Sequence, residues 1–539
     1  MEEFIFGTLA TDDLKLVHHR AARRGLQHGH SLEPRDPRAG QPVTISVLVG
    51  PDLRAEHVAC YYTADGSEPA GGHGSATHGQ ALVLEPAGVE WDTLLWGYVA
   101  RWQGTIPAQP EGVTVRYRLG AWAGDGPETV ADWPDVQATA EQASQAFFRG
   151  EPLPSAPLGD PARGHTFAYH VDQFDPPDWA RRAVIYQVFV DRFYPGSGRG
   201  WLQTADLRGF CGGTLWGVAE KLDYISELGA DCIWLSPVFP SLTHHGYDAT
   251  DLSRVEPRLG GDDALRVLVA KAHARGIRVL LDLVCNHIAS QHPIFQDALA
   301  SPTSPYRGWF TFDDSDIGYR TFFGVPTMPQ VNVANSGARA WLIDAGRYWL
   351  REFDVDGYRL DYANGPGPDF WTDFWTACKA VKPDCYCFGE IVDAPPVQLT
   401  YAGHLDGCLD FYSADALRRT FALHRWTEER LDSFLARHVA FYPESFLLPT
   451  FLDNHDMDRF LFLADGDKDA LRRAAAVQFR LPGPPIIYYG TEIGLSQSNS
   501  TREGLGLHVC RVPMEWGSGQ DREMFSFYRR LIGERRGGA

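Results

Sequence analysis

A chain of 539 residues is longer than a single hydrophobic core supports, so two or more domains are expected. Its 44% hydrophobic and 12% aromatic content excludes an intrinsically disordered chain. The 49 Lys and Arg against 69 Asp and Glu leave a formal charge of −20, which disfavours nucleic acid or an anionic membrane surface as partners and fits a neutral ligand.

The first residues, MEEFIFGTLATDDLK, lack the basic and apolar segments of a secretory signal, and no run of about 20 apolar residues follows to span a membrane. Nine cysteines are an odd number, and Cys232, Cys285, Cys385 and Cys387 fall in or beside strand-like patterns. They read as reduced core residues, which favours the cytoplasm. The Cys385/Cys387 pair has no second Cys or His pair, so packing is the expectation rather than metal or redox work.

Alternating runs such as VTISVLV (43–49) and VTVRYRLGAW (113–122) predict an N-terminal all-β sandwich over residues 1–150. It carries Trp91, Trp96, Trp102, Trp122 and Trp133, most of them expected in the core, with any exposed indole a platform for a sugar ring. Residues 151–180, with PLPSAP and DPPD, read as a linker.

From residue 181 the pattern changes. Eight short apolar runs alternate with helical periodicity: AVIYQVFV (183–190), DCIWLSP (231–237), RVLLDLV (278–284), GYRLDYA (357–363), YCFGEIV (386–392), GCLDFY (407–412), LLPTFLD (447–453) and PPIIYYG (484–490). Near-continuous apolar strands separated by helices are what a parallel sheet buried on both faces requires, and eight such units predict a (β/α)8 TIM barrel, placed at 181–287 and 336–539. The intervening residues 288–335, rich in Pro, Gly, Phe and Asp, are too long for an ordinary βα loop and read as an inserted domain after the third strand. A last helix is predicted near 521–536.

Four segments place carboxylates or histidines where apolar runs end: DLVCNH (282–287), GYRLDYA, CFGEIV (387–392) and FLDNHD (451–456). The carboxyl ends of barrel strands are where such enzymes keep their chemistry. Arg359 and Asp361, two apart on a strand, face the same side, so the guanidinium is expected to aim the carboxylate and lower its pKa.

In order and wording these segments resemble the four signature regions of the α-amylase family, glycoside hydrolase family 13. The resemblance implies Asp361 as nucleophile, Glu390 as general acid/base and Asp456 as transition-state stabiliser. It implies substrate contacts from His245 and Tyr247 in HHGYD and from His287, Arg359 and His455; Arg459, three past Asp456, reads as either a further substrate contact or an ordinary surface ion pair. GPPIIYYGTEIG (483–494) and RVPMEWG (511–517) resemble later, mostly structural segments of the family. Most relatives continue into a C-terminal β-sandwich; none is expected within this sequence, so either the protein does without it or the chain was shortened. No cofactor is required; Asn286 resembles a calcium ligand of many relatives, but one Asn is a poor cation site and no acidic calcium loop follows the first strand.

MPQVN (328–332) and the N-terminal domain resemble the neopullulanase, cyclomaltodextrinase and maltogenic amylase branch. This implies hydrolysis of α-1,4, and in some members α-1,6, bonds in cyclodextrins, pullulan or short maltooligosaccharides, with homodimer contacts through the N-terminal domain. Two departures bear on substrate choice: Asn364-Gly365 replaces the branch's Glu, and Ile391-Val392 stands where Trp is common. Transglycosylation through the same intermediate stays open, as does a catalytically silent sugar-binding protein.

Overall fold

A computed structural model describes residues 22–133, 164–196, 198–202 and 205–537, together with 4–5, 8–9, 16, 19–20 and 151. The chain forms two compact units, one of Met1–Asp175, Asn364–Thr376 and Val392–Leu405, the other of Pro176–Ala363, Ala377–Ile391 and Asp406–Ala539.

The first unit is built on antiparallel β-structure. Val43–Val49 alternates buried and half-buried positions, the period of two that a one-sided strand requires. Val113–Trp122 pairs with His57–Thr63, which pairs with Gln80–Leu84 at the start of the long strand Gln80–Asp92. The rest of that strand pairs with Gly97–Ile106, which in turn pairs with Val43–Val49. One strand thus serves two halves of the sheet, whose inward residues (Ile45 and Val47, Val58 and Cys60, Tyr117 and Leu119) share one core.

The expected linker at 151–180 is corrected in part. Phe167–Val171 is a fully buried strand paired with Val113–Tyr117, and Asp178–Arg182 is a short helix. Its run FAYHV is short and flanked by turn-forming residues, which hid it; positions 152–163 lie outside the described residues. Of the five tryptophans, Trp122 is buried and Trp102 and Trp133 pack against the core, while Trp91 and Trp96 are exposed beside Tyr98.

The second unit carries the barrel. Ile185–Val188, Cys232–Leu235, Arg278–Val284, Gly357–Asp361, Tyr386–Gly389 and Gly407–Cys408 pair in parallel, in chain order, and Ile486–Tyr488 pairs back onto the first. The expected seventh strand is reduced to parallel bridges, Gly407 with Leu447 and Thr450 with Pro485, which close the ring. All eight expected runs therefore take part.

The predicted apolar stripe Leu215, Val218, Leu222, Ile225, Leu228 is buried throughout, on two short helices, Leu215–Glu220 and Leu222–Leu228. Asn335 caps Ser336–Phe353 by accepting from the backbone N–H groups of Gly337 and Ala338, and Asp521 likewise caps Arg522–Gly537. The inserted segment holds the helix Pro293–Ala300 and bridged loops, with Gln330 bridging back to His287. All nine cysteines are buried and unpaired. No helix among the described residues is long and apolar enough to cross a membrane.

Candidate active site

The parallel register places Asp282 beside Arg359 and Val284 beside Asp361, so two neighbouring strands deliver their charged side chains to one level at their carboxyl ends. Arg359 is fully enclosed. Its Nη1 donates to Asp282 Oδ1 at 2.8 Å and to Asp361 Oδ1 at 2.7 Å, while Nη2 lies 2.9 Å from Glu390 Oε2. The backbone N–H of Tyr362 also donates to Glu390 Oε2 at 3.1 Å. One guanidinium therefore gathers three carboxyls.

Asp456 is held separately. Arg511 Nη2 donates to its Oδ1 at 2.7 Å, and His455 Nε2 lies 3.0 Å from its Oδ2. Gln187 donates to His455 Nδ1 at 2.8 Å, which leaves the proton on Nε2. The Tyr247 ring stacks on His455 at 5.3 Å, and its hydroxyl reaches Asp282 Oδ2 at 2.9 Å and His455 Nε2 at 2.5 Å. Trp234 Nε1 donates to the same Asp282 oxygen at 3.1 Å.

Burial pushes all four carboxyls up, and the direction each takes depends on whether its charged neighbours outweigh that push. Burial drives the Asp282 carboxyl up to about 7, although Arg359 opposes it. Burial also raises Glu390 against Arg359, with Asp361 and Asp456 adding to the rise. Asp361 moves up as well: loss of solvent outweighs the pull of Arg359, so the expected lowering of this carboxyl is corrected. Asp456 alone falls well below the ordinary carboxylate range, because His455, Arg511 and Arg359 together overcome its burial.

Around this centre stand neutral imidazoles. Burial lowers His287 to about 4 and His245 to about 3. His245 Nδ1 is engaged by Thr243 and by the N–H of Tyr247. His287 stacks on Phe322 at 4.7 Å, and among the described residues its buried Nε2 has no hydrogen-bond partner of good geometry. Phe322 and Phe323 in turn pack on Tyr362 at 5.1 and 5.2 Å, and both Phe323 and Tyr362 hold positive φ, 44° and 38°. Such backbone strain in residues with a Cβ concentrates at functional sites.

Eight of the nine residues singled out in the sequence meet here; Arg459 does not. It is buried with Nε on the Cys510 carbonyl, Nη1 on that of Tyr489, and its guanidinium over the rings of Tyr488 and Tyr489. Arg511 is the arginine that pairs with Asp456. That arginine stands 55 residues from Asp456 in a segment read as structural, and Asp282 sat unremarked at the head of DLVCNH. The side-chain oxygen of Asn286 accepts from Gln330 at 2.9 Å and its nitrogen contacts His287, so its donor set does not fit calcium.

The two departures after Asp361 and Glu390 touch each other: the backbone N–H of Val392 donates to Asn364 Oδ1 at 2.9 Å. Just before them, Glu390 N–H donates to the Leu360 carbonyl and Ala363 N–H to that of Glu390, both at 2.8 Å.

A family model described as the catalytic domain of alpha amylase matches residues 187–530. Alpha-amylase 2 of Dictyoglomus thermophilum is 41% identical over 67% of this chain, and the match spans 64% of that relative's length. A solved cyclomaltodextrinase superposes with a TM-score of 0.64 at 28% identity, covering 95% of this chain and 84% of its own. A cyclic alpha-maltosyl-(1→6)-maltose hydrolase from Arthrobacter globiformis, in complex with that sugar, gives 0.62 at 30% identity over 67% of this chain and 83% of its own.

Proposed function

Since the chain belongs to the α-amylase family, we propose that it is a retaining glycoside hydrolase that cleaves α-1,4, and also α-1,6, glucosidic bonds in cyclodextrins, cyclic or short maltooligosaccharides, or pullulan. The observation that carries this reading is the single guanidinium of Arg359 holding Asp361 on one nitrogen and Glu390 beside the other. Two carboxyls about 5 Å apart are what a covalent glycosyl intermediate needs.

Asp361 attacks the anomeric carbon while Glu390 gives its proton to the departing glycosidic oxygen. Water then yields a proton back to Glu390 and attacks the same carbon, releasing Asp361. Arg359 donates to Asp361 and holds that carboxylate aimed at the anomeric carbon. Asp456, fixed as an anion by His455 and Arg511, stabilises the oxocarbenium-like transition state. The unused Nε2 of His287 and the Tyr247 ring receive the sugar in the cleaved subsite.

The two solved relatives are named for cyclic substrates, and the Asn364–Val392 contact lies at the positions where this chain leaves the neopullulanase wording. The barrel, the inserted segment at 288–335 and the N-terminal β-domain form the enzyme, with homodimer contacts through the latter. The test is a panel of cyclodextrin, pullulan, panose, maltotriose, starch and cyclic maltosyl-(1→6)-maltose, with the first-formed anomer read by NMR. Rapid formation of the α-anomer from the cyclic sugars is the expected result. A β-anomer would overturn retention, starch turned over as fast as the cyclic sugars would overturn the substrate class, and longer oligosaccharides at high substrate would identify a transglycosylase.

A further inference from the structure

Within the N-terminal unit, two histidines from distant parts of the sequence converge on one carboxylate oxygen of a third residue. His165 Nε2 lies 2.5 Å from Asp369 Oδ2, and His30 Nε2 lies 3.2 Å from the same atom. Among the described residues this is the one group of three His, Cys, Asp or Glu side chains whose ligand atoms all lie within 4.8 Å of one another.

Three observations go beyond an ordinary ion pair. The His30 ring is entirely enclosed, and among the described residues neither of its nitrogens has a hydrogen-bond partner of good geometry; Nε2 faces Oδ2 at 3.2 Å as an ion-pair contact. Asp369 is oriented from behind: the backbone N–H of Ala168 donates to its Oδ1 at 2.6 Å, which leaves Oδ2 turned to the two imidazoles. His30 itself holds a φ of 47°, an uncommon conformation for a residue with a Cβ, though one that His adopts more readily than most.

We propose that His30, His165 and Asp369 bind one divalent transition ion of the Zn²⁺ class, with a water in the fourth position on the side where His165 reaches solvent. Two imidazole nitrogens and one carboxylate oxygen are zinc donors, and bonds of about 2.1 Å put tetrahedral ligand atoms about 3.4 Å apart. The His30 contact is already near that spacing. The His165 contact is a hydrogen bond that the ion replaces, and a ring about one-third exposed has room to withdraw by roughly 1 Å. With one carboxylate and two imidazoles, the site discriminates against Ca²⁺ and Mg²⁺, which want six or more oxygens or an octahedral water shell. The ion ties the loop at His30, the start of the strand Phe167–Val171 and the first turn of the helix Pro368–Val381, so it stabilises the folded chain by mass action.

The full chain, stripped with a chelator and dialysed against micromolar Zn²⁺, is expected to retain one zinc more than its His165→Gln variant by elemental analysis. Zn²⁺ should raise the melting temperature of the parent and leave that of the variant unchanged. His165 is partly exposed, so this variant folds; Asp369→Asn, if it folds, should behave the same way. Co²⁺ in place of Zn²⁺ should give the visible absorption of a tetrahedral site in the parent alone. Equal zinc content and equal thermal shift in parent and His165→Gln, or no zinc in the parent, would overturn the proposal.

Discussion

Two buried polar clusters in this molecule are built with opposite balances. At the strand ends of the barrel, Asp282, Asp361 and Glu390 crowd one arginine, Arg359. In the N-terminal unit a single carboxylate, Asp369, stands among His30 and His165, with His28 and His404 packed nearby. Where acids outnumber cations, burial pushes their carboxyls up and a proton is stored. Where imidazoles surround one acid, His30 and His165 hold Asp369 well below the ordinary range despite its burial. The first arrangement suits proton transfer, and the second keeps one carboxylate ionised where a cation can meet it.

The sharpest way to break this contrast is Glu390→Gln, which keeps the shape and removes the transferable proton. We expect kcat to fall by about 10³-fold with sugar affinity retained and urea stability little changed; unchanged turnover would remove Glu390 from the acid/base role. Asp369→Asn should do the reverse. Leaving the two imidazoles without their carboxylate acceptor is expected to cost about 2 kcal/mol of stability in metal-free buffer, measured by urea unfolding, with turnover per folded molecule unchanged.

The smallest effect is a slope. His287 is pushed down to about 4 in the folded chain from an ordinary value near 6.5, so the unfolded chain takes up the proton first as pH falls. Its contribution to stability is present above 6.5 and lost as pH falls towards 4, by up to about 1.4 kcal/mol per pH unit. His287→Gln should flatten the urea midpoint between pH 6.5 and 4.5 by that amount. Asp282, pushed up to about 7, carries the opposite sign: its term is present at low pH and lost as pH rises through 7.

The barrel was readable because strands buried on both faces must be apolar without interruption, and that signal survives in each of the eight runs, even 447–453, which forms only bridges. Phe167–Val171 escaped because FAYHV is short and lies between proline-rich stretches. At the site, Asp361, Glu390 and Asp456 were legible as carboxylates ending apolar runs. Arg459 was misjudged because nearness in sequence to Asp456 says nothing about which way a guanidinium turns; Arg511, which folding brings in from 55 residues away, carries no local pattern. The same holds for His30, His165 and Asp369, whose separations match no ligand spacing and become a cluster only through the tertiary fold.

The hydrogen bond from Val392 to Asn364 has a consequence for how substrate choice can drift. The segments after Asp361 and Glu390 run paired through Leu360, Ala363 and Glu390, and this contact extends the pairing into the two positions that leave the family wording. Exchanging Asn364 for a residue without a side-chain acceptor strands the partly buried backbone N–H of Val392. Substitutions at Asn364 and in the loop at Val392 are therefore expected to be non-additive in stability.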